Sequence, residues 1–301
     1  MMHTARIHPE NPRFLLGLVG AGIKASRTPP MHEREGDEQG LRLMYQKIDL
    51  EELRIGPEAL PELLTAAERM DFAGLNITHP CKQAIIPYLD ELSADAAALG
   101  AVNTVILKSG RRYGHNTDWW GFSESFKRGL PGARLSSVVQ LGAGGAGTAV
   151  AHALMTLGVR ELVLADKDFS RAKAVAASLN DRFERFGANS VRVSHDLDAD
   201  MAAADGLVHC TPTGMDNYPG LPLPAEMLRP ELWVAEIVYF PLETALVREA
   251  RRIGCRTLDG GGMAVFQAVE AFRLFTGVKP DDQRMLRHFI QLGSGAKEAA
   301  T

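Results

Sequence analysis

The stretch VVQLGAGGAGTAVAHAL, residues 138–154, restricts the possible folds more strongly than any other part of the chain. It places Gly142, Gly144 and Gly147 in G-x-G-x-x-G register, directly after a predicted strand and before a predicted helix. In such a turn the first glycine allows a tight bend, the second lets a pyrophosphate approach the backbone, and the third allows close packing of helix on strand. The pattern predicts a dinucleotide-binding turn, the alternative being a glycine-rich turn without a ligand.

Short predicted strands alternate with predicted helices along the chain. From about residue 136 the alternation is regular, which indicates a parallel sheet with helices on both faces. Up to about residue 118 the predicted strands are FLLGLVG (14–20), LMYQKIDL (43–50), FAGLNIT (72–78) and two more around the turn Ser109-Gly110, with helices at 56–70 and 93–100. A length of 301 residues favours two domains.

We therefore predict an α/β protein with two domains. A Rossmann dinucleotide-binding domain is expected at 119–262. A smaller α/β substrate domain is expected at 1–118, completed by C-terminal helices at 263–301, the first of them over 263–277. A second glycine pattern, GAGIKA at 20–25, is followed by Pro29 and Pro30, which disfavour a helix continuing through the turn. That segment is predicted to be a loop with another role.

The composition excludes several classes of partner. The formal net charge is −4 and no basic block occurs, so we expect no nucleic-acid partner. No run approaches about 18 consecutive apolar residues, and the first residues lack an apolar signal segment, so we expect no membrane association. Three distant cysteines and scattered histidines predict neither a disulfide framework nor a metal site. The expected setting is cytoplasmic, and the expected state is a monomer or homodimer.

Asp166 is the main indicator of coenzyme choice. It ends the next predicted strand, 19 residues after Gly147. A carboxylate at this position accepts hydrogen bonds from the ribose hydroxyls and repels a 2′-phosphate, which favours NAD over NADP. Lys167 and Arg171 lie close enough in sequence to meet a phosphate instead. The alternative role for Asp166 is that of a helix N-cap.

Four polar clusters lie at predicted strand ends or turns of the first domain. They are Ser26-Arg27-Thr28, Asn76 with Thr78 and Lys82, Asn103-Thr104, and Asn116-Thr117-Asp118. Strand ends at one edge of a sheet can converge on a crevice, the usual place for a site. Each cluster also has a local alternative, since serine, threonine and aspartate cap helices, asparagine stabilises turns, and most lysines are solvated. A Lys82–Asp118 catalytic pair is one hypothesis among these.

The ordered motifs resemble the shikimate/quinate dehydrogenase family over nearly the whole chain. SRTPPMHE resembles the family's Ser-x-Ser/Thr-Pro…His substrate loop, and GLNITHPCKQ resembles its Asn-x-Thr-x-Pro-x-Lys motif. LGAVNTVI and GHNTDWWGF resemble Gly-Ala-Val-Asn-Thr and Gly-x-Asn-Thr-Asp-x-x-Gly. TPTGM resembles Thr-Pro-x-Gly-Met, and EIVYFPLETALVREARRIGC with GGGMAVFQA resembles the closing strand–helix segment and its Met-x-x-x-Gln helix.

The resemblance implies a role for each matching residue. Lys82 would be the catalytic acid/base, with Asp118 as its partner. Such a base is needed because an alcohol that is oxidised must lose its hydroxyl proton as hydride leaves. The substrate, a polyhydroxy cyclic acid, would be bound by Ser26 and Thr28 at its carboxylate with Tyr239 nearby, and by Asn76, Thr78, Asn103 and Gln267 at its ring hydroxyls. The further coenzyme contacts would be Ala143, Gly145, Ala146, Arg171, Thr211, Val238, Gly260 and Met263.

Three positions depart from the commonest pattern of the family. Asp166 stands where NADP-dependent members begin a phosphate clamp, Thr28 stands where serine is usual, and Glu236 stands where aspartate is more usual. The first two features resemble NAD-dependent quinate/shikimate dehydrogenases of quinate catabolism. The methyl group of Thr28 would shift substrate preference by only ~1–3 kcal/mol.

The resemblance thus implies reversible, NAD-dependent oxidation of quinate to 3-dehydroquinate and of shikimate to 3-dehydroshikimate. One rival is the NADP-dependent shikimate dehydrogenase of aromatic amino acid biosynthesis, and another is an aminoshikimate-type dehydrogenase. A rival of a different class is a non-catalytic regulator that senses NAD or quinate. That rival is expected to lack the Lys/Asp pair or to carry an added DNA-binding segment, and neither feature is present in the sequence.

Overall fold

The structure is a computed structural model that describes residues 12–183 and 190–298. It divides into two compact units, one comprising Met1–His115 with Ala271–Thr301 and the other Asn116–Glu270. The twelve strands of the described ranges are β1 (Arg13–Gly20), β2 (Arg42–Asp49), β3 (Phe72–Ile77), β4 (Glu91–Leu92), β5 (Thr104–Lys108), β6 (Arg111–His115), β7 (Ser137–Leu141), β8 (Glu161–Ala165), β9 (Ser190–Val193), β10 (Gly206–His209), β11 (Trp233–Glu236) and β12 (Arg256–Leu258).

Twelve α-helices lie within the same ranges. They are α1 (Thr28–Glu38), α2 (Leu50–Leu53), α3 (Leu60–Arg69), α4 (Cys81–Ala84), α5 (Ala94–Leu99), α6 (Asp118–Gly129), α7 (Gly145–Thr156), α8 (Phe169–Phe183), α9 (Leu197–Ala203), α10 (Ala245–Ile253), α11 (Gly261–Thr276) and α12 (Asp282–Glu298). Together with the strands they confirm the predicted α/β class.

The first unit is built on a mixed sheet with the strand order β2-β1-β3-β5-β6-β4. Strands β1, β2 and β3 are parallel, whereas β5 is antiparallel to both β3 and β6. Apolar side chains cover both faces. One cluster includes Leu64 and Leu75, and the other includes Leu16 and Phe272. Because the parallel strands run in one direction, their carboxyl ends share one edge of the sheet.

The second unit has an all-parallel sheet with the order β12-β11-β10-β7-β8-β9. This is the order of a doubly wound Rossmann sheet, and its direction of winding reverses between β7 and β10. Successive residues of β7 face opposite sides, since Val138 belongs to one apolar cluster and Val139 to the other. Burial on both faces explains why these strands read as uninterrupted apolar runs in the sequence.

Two local predictions need adjustment. The predicted helix at 56–70 is a short 3₁₀ turn, Pro57–Ala59, followed by α3, because Pro61 lacks an N–H and is accommodated in a first helical turn. The segment after β1 is a loop, as predicted, but α1 begins at Thr28, with Pro29 and Pro30 in its first turn. No helix within the described ranges is long and apolar enough to cross a membrane.

Candidate active site

The carboxyl-end edge of the first sheet gathers three of the predicted polar clusters. The loop after β1 carries Ser26 and leads to Thr28, the first residue of α1, and the turn after β3 leads to Lys82. Asn103 directly precedes β5, which begins at this edge because it runs antiparallel to β3. The loop and the turn are joined by a hydrogen bond from the N–H of Ala21 to the carbonyl of His79, 2.9 Å long.

Gly20 makes this junction possible. A Cβ at Gly20 would lie 2.3 Å from Cγ2 of Thr78 and 2.9 Å from the carbonyl oxygen of His79. The loop is further held by the carboxylate of Asp49 at the end of β2, which accepts the N–H groups of Gly22 and Ile23 at 2.9 and 2.8 Å. Asp49 was not singled out from the sequence, because a single aspartate after a strand gives no signal of a distant partner.

Ser26 and Thr28 lie half-buried at the start of α1. The hydroxyl of Ser26 accepts the N–H of Thr28 at 3.3 Å, so Ser26 helps to shape the helix start. The N-cap residue is Arg27, and no side chain caps the helix there. The alternative in which Ser26 or Thr28 serves as the N-cap is therefore not observed, and their contact with a substrate carboxylate stays a prediction.

Asn76 belongs to a buried polar network that holds Asn103. Its amide group donates to the carbonyl of Asn103 at 3.1 Å and to the hydroxyl of Thr104 at 3.0 Å. The Thr104 hydroxyl donates in turn to Oδ1 of Asn103 at 3.0 Å. Tyr45 donates its phenolic proton to Oδ1 of Asn76, and burial raises the pKa of Tyr45 well above 10, which keeps the phenol protonated.

This arrangement gives Asn76 a positioning role toward Asn103. Direct contact of Asn76 with a ring hydroxyl stays a prediction, as it does for Asn103 and the half-buried Thr78. Tyr45 was missed as a member of the site, whereas Thr104 was named with Asn103 in one of the polar clusters. The contribution of Tyr45 depends on how β2 and β3 are arranged in the sheet, and a single sequence does not show that.

Lys82 lies in α4, immediately after the Thr-His-Pro turn, and is half-buried. Its carbonyl accepts the N–H of Val102 at 2.8 Å, which fixes α4 beside the segment that carries Asn103. The neighbouring Cys81 is fully buried, and burial raises the pKa of its thiol to about 11. Cys81 is thus an anchor of α4 that stays protonated, and the role of Lys82 as catalytic acid/base stays a prediction.

Asp118, the predicted partner of Lys82, belongs to the second unit. It is the first residue of α6 and is buried, and its N–H donates to Oδ1 of Asn116 at 3.0 Å. Thr117 occupies the N-cap position, so the alternative in which Asp118 is the N-cap is not observed. Pairing of Lys82 with Asp118 stays a prediction.

Gln267 and Tyr239 also lie in the second unit. A Cβ at Gly121 of α6 would be 2.6 Å from the backbone nitrogen of Gln267, so α6 and α11 approach each other closely at this point. The side-chain amide of Gln267 donates to the carbonyl of Ala264 at 3.0 Å. Tyr239 is exposed. Their contacts with a substrate stay predictions.

The glycine-rich turn of the second unit has the geometry that a pyrophosphate needs. Gly142 has φ +99°, and a Cβ at Gly147 would lie 2.3 Å from the carbonyl oxygen of Gly142. A Cβ at Gly144 or Gly145 would meet nothing within 4 Å, so protein atoms do not cover this face of the turn. The first turn of α7 carries no acidic residue, which leaves its N–H groups suited to an anion. Ala143 and Ala146 complete the turn.

Gln140 stabilises this turn from inside β7. Its buried side-chain amide donates to the carbonyls of Gly142 and Gly147, at 2.9 and 2.8 Å. The role of Gln140 was not predicted from the sequence, because a single glutamine within the strand VVQL does not indicate which groups its side chain contacts.

Asp166 follows β8, next to the turn. Its carboxylate accepts the N–H of Ala143 at 2.6 Å, the N–H of Asp168 at 2.8 Å and the guanidinium of Arg171 at 2.7 Å. Burial acts to raise the pKa of Asp166, but these hydrogen bonds outweigh burial and hold the pKa below its ordinary value. The N–H of Arg171 is accepted by Asp168, which therefore acts at the start of α8 in place of Asp166.

The remaining predicted coenzyme residues surround the same edge of the second sheet. A Cβ at Gly142 would lie 2.7 Å from the carbonyl oxygen of Cys210 and 3.0 Å from Cγ2 of Thr211, which places the segment after β10 against the turn. A Cβ at Gly260 would lie 2.4 Å from the carbonyl oxygen of Val238. Met263 packs, partly buried, on the adjacent apolar cluster. Their contacts with a coenzyme stay predictions. Within the described ranges no group of three His, Cys, Asp or Glu side chains could hold a metal ion.

The reversal of winding between β7 and β10, the glycine-rich turn and the carboxylate after β8 together define a dinucleotide-binding protein of the Rossmann class. The pattern of the shikimate dehydrogenase substrate-binding domain matches residues 18–105, and that of the shikimate 5′-dehydrogenase C-terminal domain matches residues 260–288.

Comparison with known proteins extends this match to nearly the whole chain. A shikimate dehydrogenase (NADP(+)) of Streptomyces avermitilis is 57% identical, covering 94% of this chain and 97% of its own. A quinate/shikimate dehydrogenase (NAD(+)) of Corynebacterium efficiens is 50% identical, covering 93% and 98%. The structure of quinate dehydrogenase from Corynebacterium glutamicum in complex with NAD superimposes with a TM-score of 0.89 at 48% identity, covering 93% and 100%. The chain belongs to the shikimate dehydrogenase family.

Proposed function

We propose that the protein is an NAD-dependent dehydrogenase that reversibly oxidises quinate to 3-dehydroquinate and shikimate to 3-dehydroshikimate. The observation that carries the proposal is the convergence of the Ser26–Thr28 loop, the Lys82 turn and Asn103 on one edge of the first sheet. This edge offers hydroxyl and amide groups for a carboxylate and ring hydroxyls, together with the amine of Lys82. Membership of the family supports the same substrate class.

Lys82 supplies the proton chemistry in this proposal. In the direction of oxidation, its neutral amine takes the proton from the substrate hydroxyl, and in reduction the ammonium returns a proton to the forming alkoxide. Asp118 orients the amine and stabilises its charged form. Asn76 and Thr104 contribute indirectly, because they fix the Asn103 side chain that would orient a ring hydroxyl.

The second unit fits a nicotinamide dinucleotide. The backbone at Gly144 and Gly145 is not covered by side chains, and the N-terminus of α7 suits a pyrophosphate. When bound, the nicotinamide ring accepts or returns the hydride. The hydrogen bonds from Gln140 to the carbonyls of Gly142 and Gly147 hold the turn in its bent form before the coenzyme binds.

Asp166 favours NAD over NADP. Its position after β8 is that of the residue that accepts ribose hydroxyls, and its hydrogen bonds keep it ionised. A 2′-phosphate would therefore meet a fixed negative charge. The positive charge of Arg171 does not offset this repulsion, because the guanidinium already forms an ion pair with Asp166 at 2.7 Å.

A second candidate is an NADP-dependent shikimate dehydrogenase. The observation that favours it is the relative from Streptomyces avermitilis, which is named for NADP and is more similar, at 57% identity, than the NAD-named relative at 50%. In this reading Arg171 would leave Asp166 and meet the 2′-phosphate.

Steady-state kinetics with quinate and shikimate, each against NAD and NADP, test the proposal. We expect turnover of at least one acid, with kcat/KM for NAD at least about tenfold above that for NADP, which corresponds to ~1.4 kcal/mol. A preference for NADP would support the second candidate. Absence of turnover with both acids and both coenzymes would refute both.

A further inference from the structure

A buried histidine–carboxylate pair lies beneath the segment that carries Thr211. His209 ends β10 and Glu236 ends β11, and the two residues are direct partners in the register of these parallel strands. Nδ1 of His209 lies 2.9 and 3.0 Å from the two carboxylate oxygens of Glu236. Both side chains are essentially inaccessible to solvent, at 0% and 2% exposure. A charged group removed from water in this way needs complete hydrogen bonding.

The surroundings of Glu236 define its role as an acceptor. The N–H of Val238 donates to Oε1 at 3.0 Å, and the hydroxyl of Thr244 donates to Oε2 at 3.0 Å. The Thr244 oxygen also accepts the N–H of Val247 as the N-cap of α10, while its proton is donated to Glu236. Both carboxylate oxygens therefore face donors, and the proton between Glu236 and His209 belongs on Nδ1 of the imidazole.

This assignment fixes the direction of the next hydrogen bond. In the neutral imidazole a proton on Nδ1 leaves Nε2 as an acceptor. In this tautomer the hydroxyl of Thr211, which lies 2.5 Å from Nε2, donates to it. With its proton used in this way, the Thr211 oxygen can only accept further hydrogen bonds, one of them from the N–H of Thr213 at 3.3 Å.

Thr211 lies where the winding of the sheet reverses. Its Cγ2 would be 3.0 Å from a Cβ at Gly142, the first residue of the glycine-rich turn. Ligands of doubly wound sheets bind at this point, beyond the carboxyl ends of the strands. The fixed hydroxyl is half-buried, whereas the pair behind it is sealed from solvent.

We propose that His209 and Glu236 are positioning residues that hold the Thr211 hydroxyl as a hydrogen-bond acceptor for a donor group of the coenzyme. The inference rests on the nicotinamide-coenzyme role proposed above. An acceptor at this point suits a ribose hydroxyl or the carboxamide NH2 group, and it disfavours a phosphate oxygen, which itself needs donors. The pair acts on the coenzyme only through Thr211.

Fluorescence titrations with NADH, and in parallel with NADPH, measure coenzyme binding directly. They test the proposed role of Thr211 without any substrate. We expect Thr211→Val, which keeps the shape of the side chain but removes its hydroxyl, to raise the dissociation constant about tenfold, the usual effect of one hydrogen bond of ~1.4 kcal/mol. Thr211→Ser keeps the hydroxyl and should bind close to the wild type. Equal binding by the valine variant and the wild type would overturn the inference.

The link from Glu236 to Thr211 is tested by a double-mutant cycle. We expect Glu236→Gln to weaken NADH binding by a similar factor. It should cause no further loss in the Thr211→Val background, because both changes remove the same hydrogen bond between Thr211 and the coenzyme. Independent, multiplying effects would overturn the proposal. If the glutamine variant does not fold, His209→Phe tests the same link with the same two outcomes.

A matched control separates positioning from general damage to the unit. Asp205 is another buried carboxylate, but it binds the N–H groups of Ser136 and Ser137 at the opposite ends of β7 and β10. We expect Asp205→Asn to lower thermal stability and leave the NADH dissociation constant unchanged. A loss of binding in this control as large as that in Glu236→Gln would contradict a specific role.

The donor group is identified with the reduced 3-acetylpyridine analogue of NADH, which lacks the carboxamide N–H. If the penalty of Thr211→Val disappears with the analogue, the donor is the carboxamide, and if the penalty persists, the donor is a ribose hydroxyl. Both results support an acceptor role. If wild-type protein binds neither NADH nor NADPH, the proposed function fails together with this inference, whereas normal wild-type binding with unaffected variants removes the inference alone.

Discussion

Asp166 is the residue on which the proposed preference for NAD depends. Its carboxylate is tied to the glycine-rich turn through the N–H of Ala143 and to α8 through Arg171. These contacts keep Asp166 ionised and fixed at the end of β8. A 2′-phosphate would therefore be repelled by its charge, and the side chains around it would have to rearrange. The opposing attraction of Arg171 is available only if its bond to Asp166 breaks.

Replacing Asp166 by asparagine removes the charge but leaves an oxygen that can accept the N–H of Ala143. We expect the ratio of kcat/KM for NADP to that for NAD to rise about tenfold or more. Asp168→Asn is the matched control, because Asp168 carries the same charge two residues away and its side chain is 53% exposed. The asparagine introduced there still has an oxygen that can accept the N–H of Arg171 at the start of α8. An equal shift in both variants would contradict a specific role for Asp166.

His32 in α1 makes the stability of the first unit depend on pH. Its ring is fully buried against Tyr45 and Phe272, and Nδ1 lies 2.9 Å from the carbonyl of Thr28. Burial lowers the pKa of His32 from 6.5 to about 4, outweighing the effects of the Thr28 carbonyl and of the charge on Glu35. Between pH 6.5 and 4 the unfolded chain therefore binds a proton that the folded unit does not, and stability falls as the pH falls.

We expect His32→Phe to remove this contribution while keeping the ring packing. At pH 7 the variant loses one hydrogen bond and is less stable. As the pH drops from 6.5 to 4, the difference in the free energy of unfolding between wild type and variant should narrow by about 3 kcal/mol, at ~1.4 kcal/mol per pH unit. Urea unfolding at several pH values measures it, and a constant difference across this window would contradict the assigned burial of a neutral imidazole.

At the scale of elements, α12 is held to α1 by a buried ion pair. Glu35 is fully buried in α1, and its carboxylate accepts Nε and Nη2 of Arg284 at 2.8 and 2.6 Å. The N–H of Asp281, just before α12, also donates to Glu35, at 2.8 Å. The pair therefore fixes the C-terminal helix within the first unit.

Arg284→Met leaves the Glu35 carboxylate buried without its cation. We expect this variant to lose about 3–5 kcal/mol of the free energy of unfolding of the first unit. Arg287→Met, on the exposed side of the same helix, is the control and should change stability by less than ~0.5 kcal/mol. Chemical denaturation compares them. Similar stabilities for the two variants would show that α12 does not depend on the buried pair.

Elements with a strong local pattern were predictable from the sequence. The turn at Gly142–Gly147 was predicted because tight bends and close packing demand glycine at fixed spacing, and the confirmed order of β7, α7 and β8 follows. The two-residue strand β4 gave no signal, since it is too short to show an alternation. Contacts such as His209 with Glu236, or Asn76 with Tyr45, also escaped prediction, because they depend on register between strands distant in sequence.

At the scale of the whole molecule, the sequence predicted two α/β domains, and the structure contains two α/β units. The division between them falls inside α11, between Glu270 and Ala271. No sequence pattern marks this point, because the helix continues through it with apolar residues on much of its surface. The predicted domain ranges, 1–118 with 263–301 and 119–262, stay predictions, as does the assignment of Lys82 and Asp118 to one catalytic pair.

The measurement that tests the central claim most directly is turnover by Lys82→Met together with its NADH affinity. We predict that kcat falls by about 10²–10⁴, because the hydroxyl proton loses its acceptor, while the NADH dissociation constant stays that of the wild type. Lys108→Met, an exposed lysine at the far end of β5, should leave both quantities unchanged. Wild-type turnover in the Lys82→Met variant would contradict the account.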